Sequence, residues 1–190
     1  MGTKKEIRKA SLEKRKKLPA DIRREYSHII TERVLCHPFF QCADMIFAYM
    51  SFREEVDTEE ILHAALKMGK TVAVPKVHGE NRMEFYKICS MSDLTSGYQG
   101  IMEPKTKNLK PVRISGGKSD LRVMMLLPGA AFDEMRNRIG YGGGFYDTYL
   151  QKYPCFYKIG LAFSVQCVKK IPAEDHDIRV DLVMTELGEF

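Results

Sequence analysis

The sequence predicts an α/β fold: a single three-layer α/β/α domain over residues 1–190, with a mostly parallel central sheet and a basic N-terminal helix over residues 3–17. Segments with helical spacing of apolar residues alternate with short apolar runs, the order that lays helices over a parallel sheet. The runs at 43–49 and 122–127 are apolar almost throughout rather than at every second residue, so cover is expected on both faces of those strands. With 190 residues, 44% of them hydrophobic, and no break in composition, the chain suffices for one sizeable core.

Taken in order, Lys4 to Lys17 lacks glycine and proline and offers only Ile7, Ala10 and Leu12 as apolar residues, which predicts a weakly packed polar helix. On it Lys4, Arg8, Ser11 and Arg15 recur at helical spacing, so three cations share one face. Pro19 starts a second helix, with Ile22, Tyr26, Ile29, Ile30 and Val34 as its apolar side. Ala43 to Tyr49 reads as a strand. Asp57-Thr58-Glu59-Glu60 opens a helix through Met68, and Gly69 stops it. Thr71 to Val77 and Met83 to Ile88 read as strands around a turn at His78-Gly79-Glu80-Asn81. Residues 89–120, punctuated by Gly97, Gly100, Pro104, Pro111, Gly116 and Gly117, are too long for an ordinary connection. They are expected to cross an edge of the core or to cover a site. Arg122 to Leu127 is the most apolar strand, ending at Pro128-Gly129, and a helix begins at Phe145. Strands at Tyr157 to Phe163 and Val180 to Thr185 complete the series. Ligands of such folds gather beyond the carboxyl ends of strands, which points to Pro75, Pro128, Phe163 and Thr185 as the site edge.

No apolar run approaches the roughly 20 residues of a membrane span, and the basic N-terminus lacks the apolar core of a secretory signal. Five cysteines (Cys36, Cys42, Cys89, Cys155, Cys167) without a C-x-x-C pair argue for a reducing cytoplasm, against a disulfide framework and against structural zinc. The five histidines are scattered, with no H-E-x-x-H. Residues 1–24 carry ten Lys/Arg against three acids, a local +7 on a chain of net +5, so the rest is about −2. A basic arm on a near-neutral body suits an anionic partner, or is simply a solvated face.

The densest chemical signal is Arg138-Ile-Gly-Tyr-Gly-Gly-Gly-Phe-Tyr-Asp147. Its glycines, Gly140, Gly142, Gly143 and Gly144, leave a nearly bare backbone whose N–H groups can converge on an anion. A helix starting at Phe145 adds its positive dipole end at the same place. Arg138 supplies a charge-assisted grip on phosphate and Asp147 an oxygen for magnesium. Together these are the parts of a nucleoside-triphosphate site; a plain glycine-rich turn is the alternative. The standard fingerprints fail. A dinucleotide G-x-G-x-x-G from Gly140 meets Phe145 at its third glycine, and the P-loop imitation at Gly117-Lys118-Ser119 has Val112 where a glycine belongs.

That segment, preceded by Leu127-Pro-Gly-Ala-Ala-Phe-Asp133, closely resembles the signature of the 5-formyltetrahydrofolate cyclo-ligases, also called methenyltetrahydrofolate synthetases. Lys4-Lys-Glu-Ile-Arg8 resembles the family's N-terminal Lys-x-x-x-Arg element. Ser51-Phe-Arg-Glu-Glu-Val-Asp-Thr58 and Ile171-Pro-Ala-Glu-Asp-His-Asp-Ile-Arg-Val-Asp181, with Thr185-Glu186, match two further blocks in order. The departure is Arg136, at a position often glycine in the family.

The resemblance implies ATP-dependent, magnesium-requiring cyclisation of 5-formyltetrahydrofolate to 5,10-methenyltetrahydrofolate. It places Lys4, Lys5, Arg8, Arg138, Ile139, Gly140, Tyr141, Gly142, Gly143, Gly144, Phe145, Tyr146 and Asp147 around ATP, with Lys4 and Arg138 acting in catalysis. Glu55, Tyr141 and Tyr146 would meet the reduced folate, and Asp147 and Asp181 would hold Mg2+. The expected state is a cytoplasmic monomer that binds neither nucleic acid nor membrane. Plainer roles remain open: Glu55 as a helix cap, or Glu54 in its place; Asp181 at a strand edge; Phe145 and Tyr146 in the core. Asp175, His176 and Asp177 resemble a metal cluster, but adjacent side chains diverge, so a loop that positions Asp181 is preferred. A nucleic-acid module using the basic arm and a sugar-phosphate isomerase needing no ATP are the competing functions.

Overall fold

A computed structural model describes residues 2–79, 82–107, 109–114, 121–154 and 156–190. Gly116, Gly117 and the Gly117-Lys118-Ser119 stretch, Glu80-Asn81 of the expected turn, and Cys155 lie outside the described residues. The elements are α1 (Lys4–Lys16), α2 (Ala20–Cys36), α3 (Pro38–Cys42), β1 (Met45–Ala48), α4 (Glu59–Lys67), β2 (Thr71–Val77), β3 (Met83–Ile88), β4 (Leu94–Ser96), β5 (Met102–Pro104), β6 (Val123–Leu127), β7 (Ala131–Asp133), β8 (Arg138–Ile139), α5 (Phe145–Lys152), β9 (Tyr157–Leu161), β10 (Cys167–Val168) and β11 (Leu182–Met184).

The main sheet runs β11-β9-β6-β1-β2-β3, parallel except for β3, which pairs antiparallel with β2. Alternation along each strand sorts its side chains between two cores. Ile46, Ala48, Met124 and Leu126 face the layer containing Ile30 and Val34 of α2, Phe40 of α3 and Ile61, Leu62 and Ala65 of α4. Phe47, Val123, Met125 and Leu127 face the layer of Tyr149 and Leu150 from α5. Register confirms the sorting: Phe47 lies level with Ala73 and Met125. Both faces are covered, which is why these strands read as unbroken apolar runs. The expected mostly parallel α/β architecture is the one observed.

Strand ends differ from the sequence reading because particular N–H groups are committed elsewhere. Val180 N bonds Arg136 O at 3.1 Å, leaving Val180 outside β11. Phe163 N bonds Gln166 Oε1 at 3.1 Å, so β9 stops at Leu161. Pro75 lies within β2, opposite Phe85, and is not a strand end. Within 89–120, the β4–β5 hairpin was not anticipated, but the edge crossing was: Val112 N bonds Phe85 O at 2.8 Å along β3.

A second sheet, β10-β7-β8, projects beyond Pro128 at the end of β6. Its apolar cluster of Ala130, Ala131, Ile139 and Ile171 is covered by Ile7 and Leu12 of α1. This small sheet carries the glycine segment and gives the polar N-terminal helix a place to dock. A ring explains the close packing beneath it: a Cβ on Gly160 of β9 would stand 2.3 Å from Phe132. Among the described residues Cys36, Cys42, Cys89 and Cys167 are free, and no helix is long and apolar enough to cross a membrane.

Candidate functional site

The glycine loop joins β8 to α5. Gly142 has φ 106° and Gly144, the N-cap of α5, has φ 64°, conformations that L side chains avoid. Arg138 enters the loop with a side chain only 2% exposed. Its Nη2 donates to Asp147 Oδ2 at 2.8 Å and its Nη1 to Pro128 O at 3.3 Å. A Cβ on Gly140 would stand 3.1 Å from that Nη1. The Arg138 Nε is buried and has no protein partner among the described residues. Buried donors are normally satisfied, so an acceptor brought to this Nε would be favoured.

Asp147 faces Arg138 rather than standing free, and its Oδ1 accepts from Ile178 N at 3.2 Å. Asp181 is held by Lys158 Nζ and Lys158 N, both at 2.7 Å from Oδ2. The two aspartates thus bracket the 178–181 stretch and, among the described contacts, share no partner. Arg136, where the family often has glycine, takes φ 63° and bonds Asp133 O through its N–H at 2.8 Å. The turn therefore keeps a left-handed residue despite its side chain.

Helix α1 begins with a capping box: Thr3 Oγ1 accepts from Glu6 N and Glu6 Oε2 from Thr3 N. That places Lys4 in the first turn and brings the cationic face onto the loop. Arg8 Nε donates to Gly140 O at 2.8 Å. Lys4 Nζ lies 2.6 Å from Asp177 Oδ2 and 3.2 Å from Glu174 Oε2. Partial burial works against the Lys4 charge, but bonds to both acids outweigh it and hold its pKa above the ordinary value. Burial likewise opposes the Asp177 carboxylate, and the bond from Lys4 leads the effects that hold its pKa low. Lys5 is exposed and reaches no acid among the described residues.

Asp175, His176 and Asp177 do not converge as a trio, as adjacency predicts, but the preceding residue supplies another partner. Glu174, His176 and Asp177 converge, with ligand atoms within 4.8 Å of one another, because the turn marked by the Asp177 N to Glu174 O bond folds them together. Asp175 is not among them, and the Lys4 ammonium sits against Glu174 and Asp177.

A second constellation surrounds Glu55. Its Oε2 accepts from Phe52 N at 2.9 Å, while the Tyr141 hydroxyl donates to Gly129 O at 3.5 Å. Arg15 Nη1 donates to the same hydroxyl at 2.7 Å. The Tyr141 residue is 45% exposed, yet its hydroxyl turns inward between Arg15 and the Gly129 carbonyl. Burial raises the Glu55 pKa, while Tyr141, Phe52 N and Arg15 oppose the rise. Burial also pushes the hydroxyls of Tyr49, Tyr141 and Tyr146 upward, and the Glu55 charge adds to each. Tyr146 lies under Arg138, whose guanidinium is 5.7 Å from its ring centroid. Phe145 and Tyr146 pack partly into the core, as their plainer reading has it, while the Tyr146 hydroxyl belongs to this polar group. Glu55 rather than Glu54 makes these contacts. On its other side an open cleft of about 380 Å³ is lined by Arg23, Arg24, His28, Arg53 and Asp57, among others.

Arg15 and Tyr49 received no role from the sequence. Arg15 lies on the cationic face of α1, which was the available signal; its partner is 126 residues away and invisible to local spacing.

Residues 1–186 match the model of the 5-formyltetrahydrofolate cyclo-ligase family. The 5-formyltetrahydrofolate cyclo-ligase of Mus musculus is 32% identical over 180 residues, covering 89% of this chain and 86% of that protein. The Escherichia coli (strain K12) cyclo-ligase is 31% identical over 180 residues, covering 91% and 94%. The solution structure of Aquifex aeolicus 5,10-methenyltetrahydrofolate synthetase superposes with a TM-score of 0.83 at 32% identity, over 98% of this chain and 91% of that one. A Mycoplasma pneumoniae 5,10-methenyltetrahydrofolate synthetase, at 22% identity and TM-score 0.74 over 96% and 98%, shares the fold.

Proposed function

This chain belongs to the 5-formyltetrahydrofolate cyclo-ligase family, and we propose that it closes the 5,10-methenyl ring by spending ATP on the formyl oxygen. An N5-formyl group is an amide: its carbon is a poor electrophile and its oxygen a poor leaving group. In the proposed sequence the formyl oxygen attacks the γ-phosphorus and ADP leaves. N10 then attacks the activated formyl carbon, forming the new C–N bond. The C–O bond breaks, phosphate departs with the former formyl oxygen, and N10 gives up its proton. The ring is left as the methenyl cation.

The protein's task is alignment and charge stabilisation. Backbone N–H groups of Gly142, Gly143 and Gly144 and the first turn of α5 would cradle the phosphates, with Ile139, Gly140, Tyr141 and Phe145 shaping the loop. Arg138, Arg8, Lys4 and Lys5 would neutralise charge on the transferring group. The unpaired Arg138 Nε and the bare main chain fit a polyanion. Hard carboxylate oxygens fit magnesium, so Asp147 and Asp181 would hold Mg2+, which when bound would offset phosphate charge. Glu55 would accept from pterin N–H groups, beside Tyr141 and Tyr146. The enzyme is proposed to work as a cytoplasmic monomer on ATP and reduced folate.

The single observation that carries this reading is the Arg8 to Gly140 bond of 2.8 Å, which lays the cationic helix face on the glycine loop. Its test is turnover of 5-formyltetrahydrofolate with MgATP, followed by near-ultraviolet absorbance of the methenyl product and by ADP. One ADP per methenyl group is expected. Folded protein that forms no methenyl product under these conditions refutes it.

A further inference from the structure

We propose that the cleft between α2 and residues 53–60 binds the glutamyl tail of reduced folate, with Arg23, Arg24 and Arg53 gripping the carboxylates of a tail longer than one glutamate; this rests on the folate reading above. The cleft, about 380 Å³, is lined on one side by Ala20, Arg23, Arg24, Ser27, His28 and Thr31. These recur at helical spacing, so one polar stripe of α2 faces the opening. Asp57 N donates to Ser27 Oγ at 3.1 Å and ties the two walls together. Glu55 lines the same cleft, so the carboxylate given to the pterin opens onto the arginines. A folate carries its glutamate at the end of the molecule opposite the pterin, and cations beside the pterin site suit that end.

The charges in the cleft are unequally committed. Glu60 Oε2 lies 3.1 Å from His28 Nδ1, and Asp57 Oδ1 accepts from Ser51 Oγ at 2.9 Å and from Glu59 N at 3.0 Å. Among the described residues Arg23, Arg24 and Arg53 form no ion pair; Arg23 Nη1 donates to Leu18 O, and the Arg53 guanidinium stands 4.8 Å from the Phe52 ring centroid. Three planar forks therefore keep donors to spare, the geometry that grips carboxylates in pairs of bonds. Asp57 and Glu60, interspersed among the cations, suit spaced single carboxylates better than the contiguous charge of a triphosphate.

Backbone strain singles out Arg53. Its φ of 55° is a conformation that residues with side chains rarely take, and such strain gathers at ligand clamps. The turn that holds it is closed by Glu55 N to Phe52 O at 3.3 Å and by Phe52 N to Glu55 Oε2 at 2.9 Å. One turn thus places both the pterin carboxylate and a cation for the tail.

The test varies the tail while the pterin stays constant. Mono- and triglutamyl 5-formyltetrahydrofolate are turned over with saturating MgATP by the full chain and by its Arg23→Gln/Arg24→Gln/Arg53→Gln variant. Exposed ion pairs are worth a few-fold each at most, so together they predict a triglutamate KM about tenfold below the monoglutamate KM in wild type. The triple variant is expected to bring the two values within about twofold, with the ATP KM and the melting temperature unchanged. Added salt is expected to shrink the wild-type advantage, because exposed pairs are screened. Equal KM values for the two tails in wild type overturn the inference. So does an advantage that survives in the variant, or a rise in ATP KM as large as the loss of that advantage. Should the triple variant fail to fold, Arg24→Gln/Arg53→Gln, at two exposed positions, decides by the same criteria. Wild-type protein without methenyl-forming activity defeats the folate reading itself, an outcome distinct from active wild type indifferent to tail length.

Discussion

Arg138 Nη2 stands 2.8 Å from Asp147 Oδ2, so the residue entering the glycine loop is bonded to the first turn of the helix leaving it. The loop is closed at its base by an ion pair, with a guanidinium that is almost fully buried. Asp147→Asn keeps the side-chain shape and the acceptor for Ile178 N but removes the charge facing Arg138. Stranding a buried charge costs about 3–5 kcal/mol, and the partial exposure of Asp147 places this change at or below the lower end. A lower melting temperature and turnover down by about a hundredfold are expected. Wild-type turnover in this variant contradicts the role given to Asp147.

Lys4→Ala with Arg8→Ala removes the α1 cation bonded to Gly140 O and the one held by Glu174 and Asp177. The KM for ATP should rise by about tenfold or more while that for folate changes little. Steady-state kinetics with each substrate varied checks this, and a reversal of the two effects counts against the phosphate assignment.

The Lys4–Asp177 contact predicts a pH window for helix docking. The Asp177 pKa is lowered from 3.8, so its contribution is present above that value and fades as pH falls through the lower folded value. The Lys4 pKa is raised from 10.5, so its contribution is present below that value and is lost as pH rises through the higher folded value. Wild type should therefore exceed Lys4→Met in stability by a constant amount across the neutral range, with the gap closing at both extremes. Urea melts across pH reveal it. A gap that closes near neutrality points to a different partner for Lys4.

At Gly144 the left-handed conformation orders three substitutions. Gly144→Asn should be mildest, Gly144→Ala intermediate at about 1–2 kcal/mol, and Gly144→Val worst. Thermal melts test the order, and a Val variant as stable as Asn would mean that the loop is not held at this φ.

The central strands were legible because chemistry and burial coincide there: Val123 to Leu127 are apolar on both faces and buried on both. The small sheet was not, since β8 and β10 have two residues each, too few for any period to register. Gly140 to Gly144 announced an anion loop by composition, and Arg8 was placed beside it by the family resemblance. Arg15 could not be separated from its solvated neighbours, because its burial depends on Tyr141 folding back across the chain. The convergence of Glu174, His176 and Asp177 was missed for the opposite reason. Adjacent side chains diverge in extended backbone, and the tight turn that gathers them leaves no clear mark in the sequence.

The most direct measurement is a structure determined with a magnesium–nonhydrolysable ATP complex. Phosphate oxygens are expected within hydrogen-bond reach of the N–H groups of Gly142 to Gly144 and of Arg138 Nε, with Arg8 alongside. A triphosphate seated elsewhere, as in the arginine-lined cleft beside Glu55, with the 140–144 backbone untouched, would contradict it.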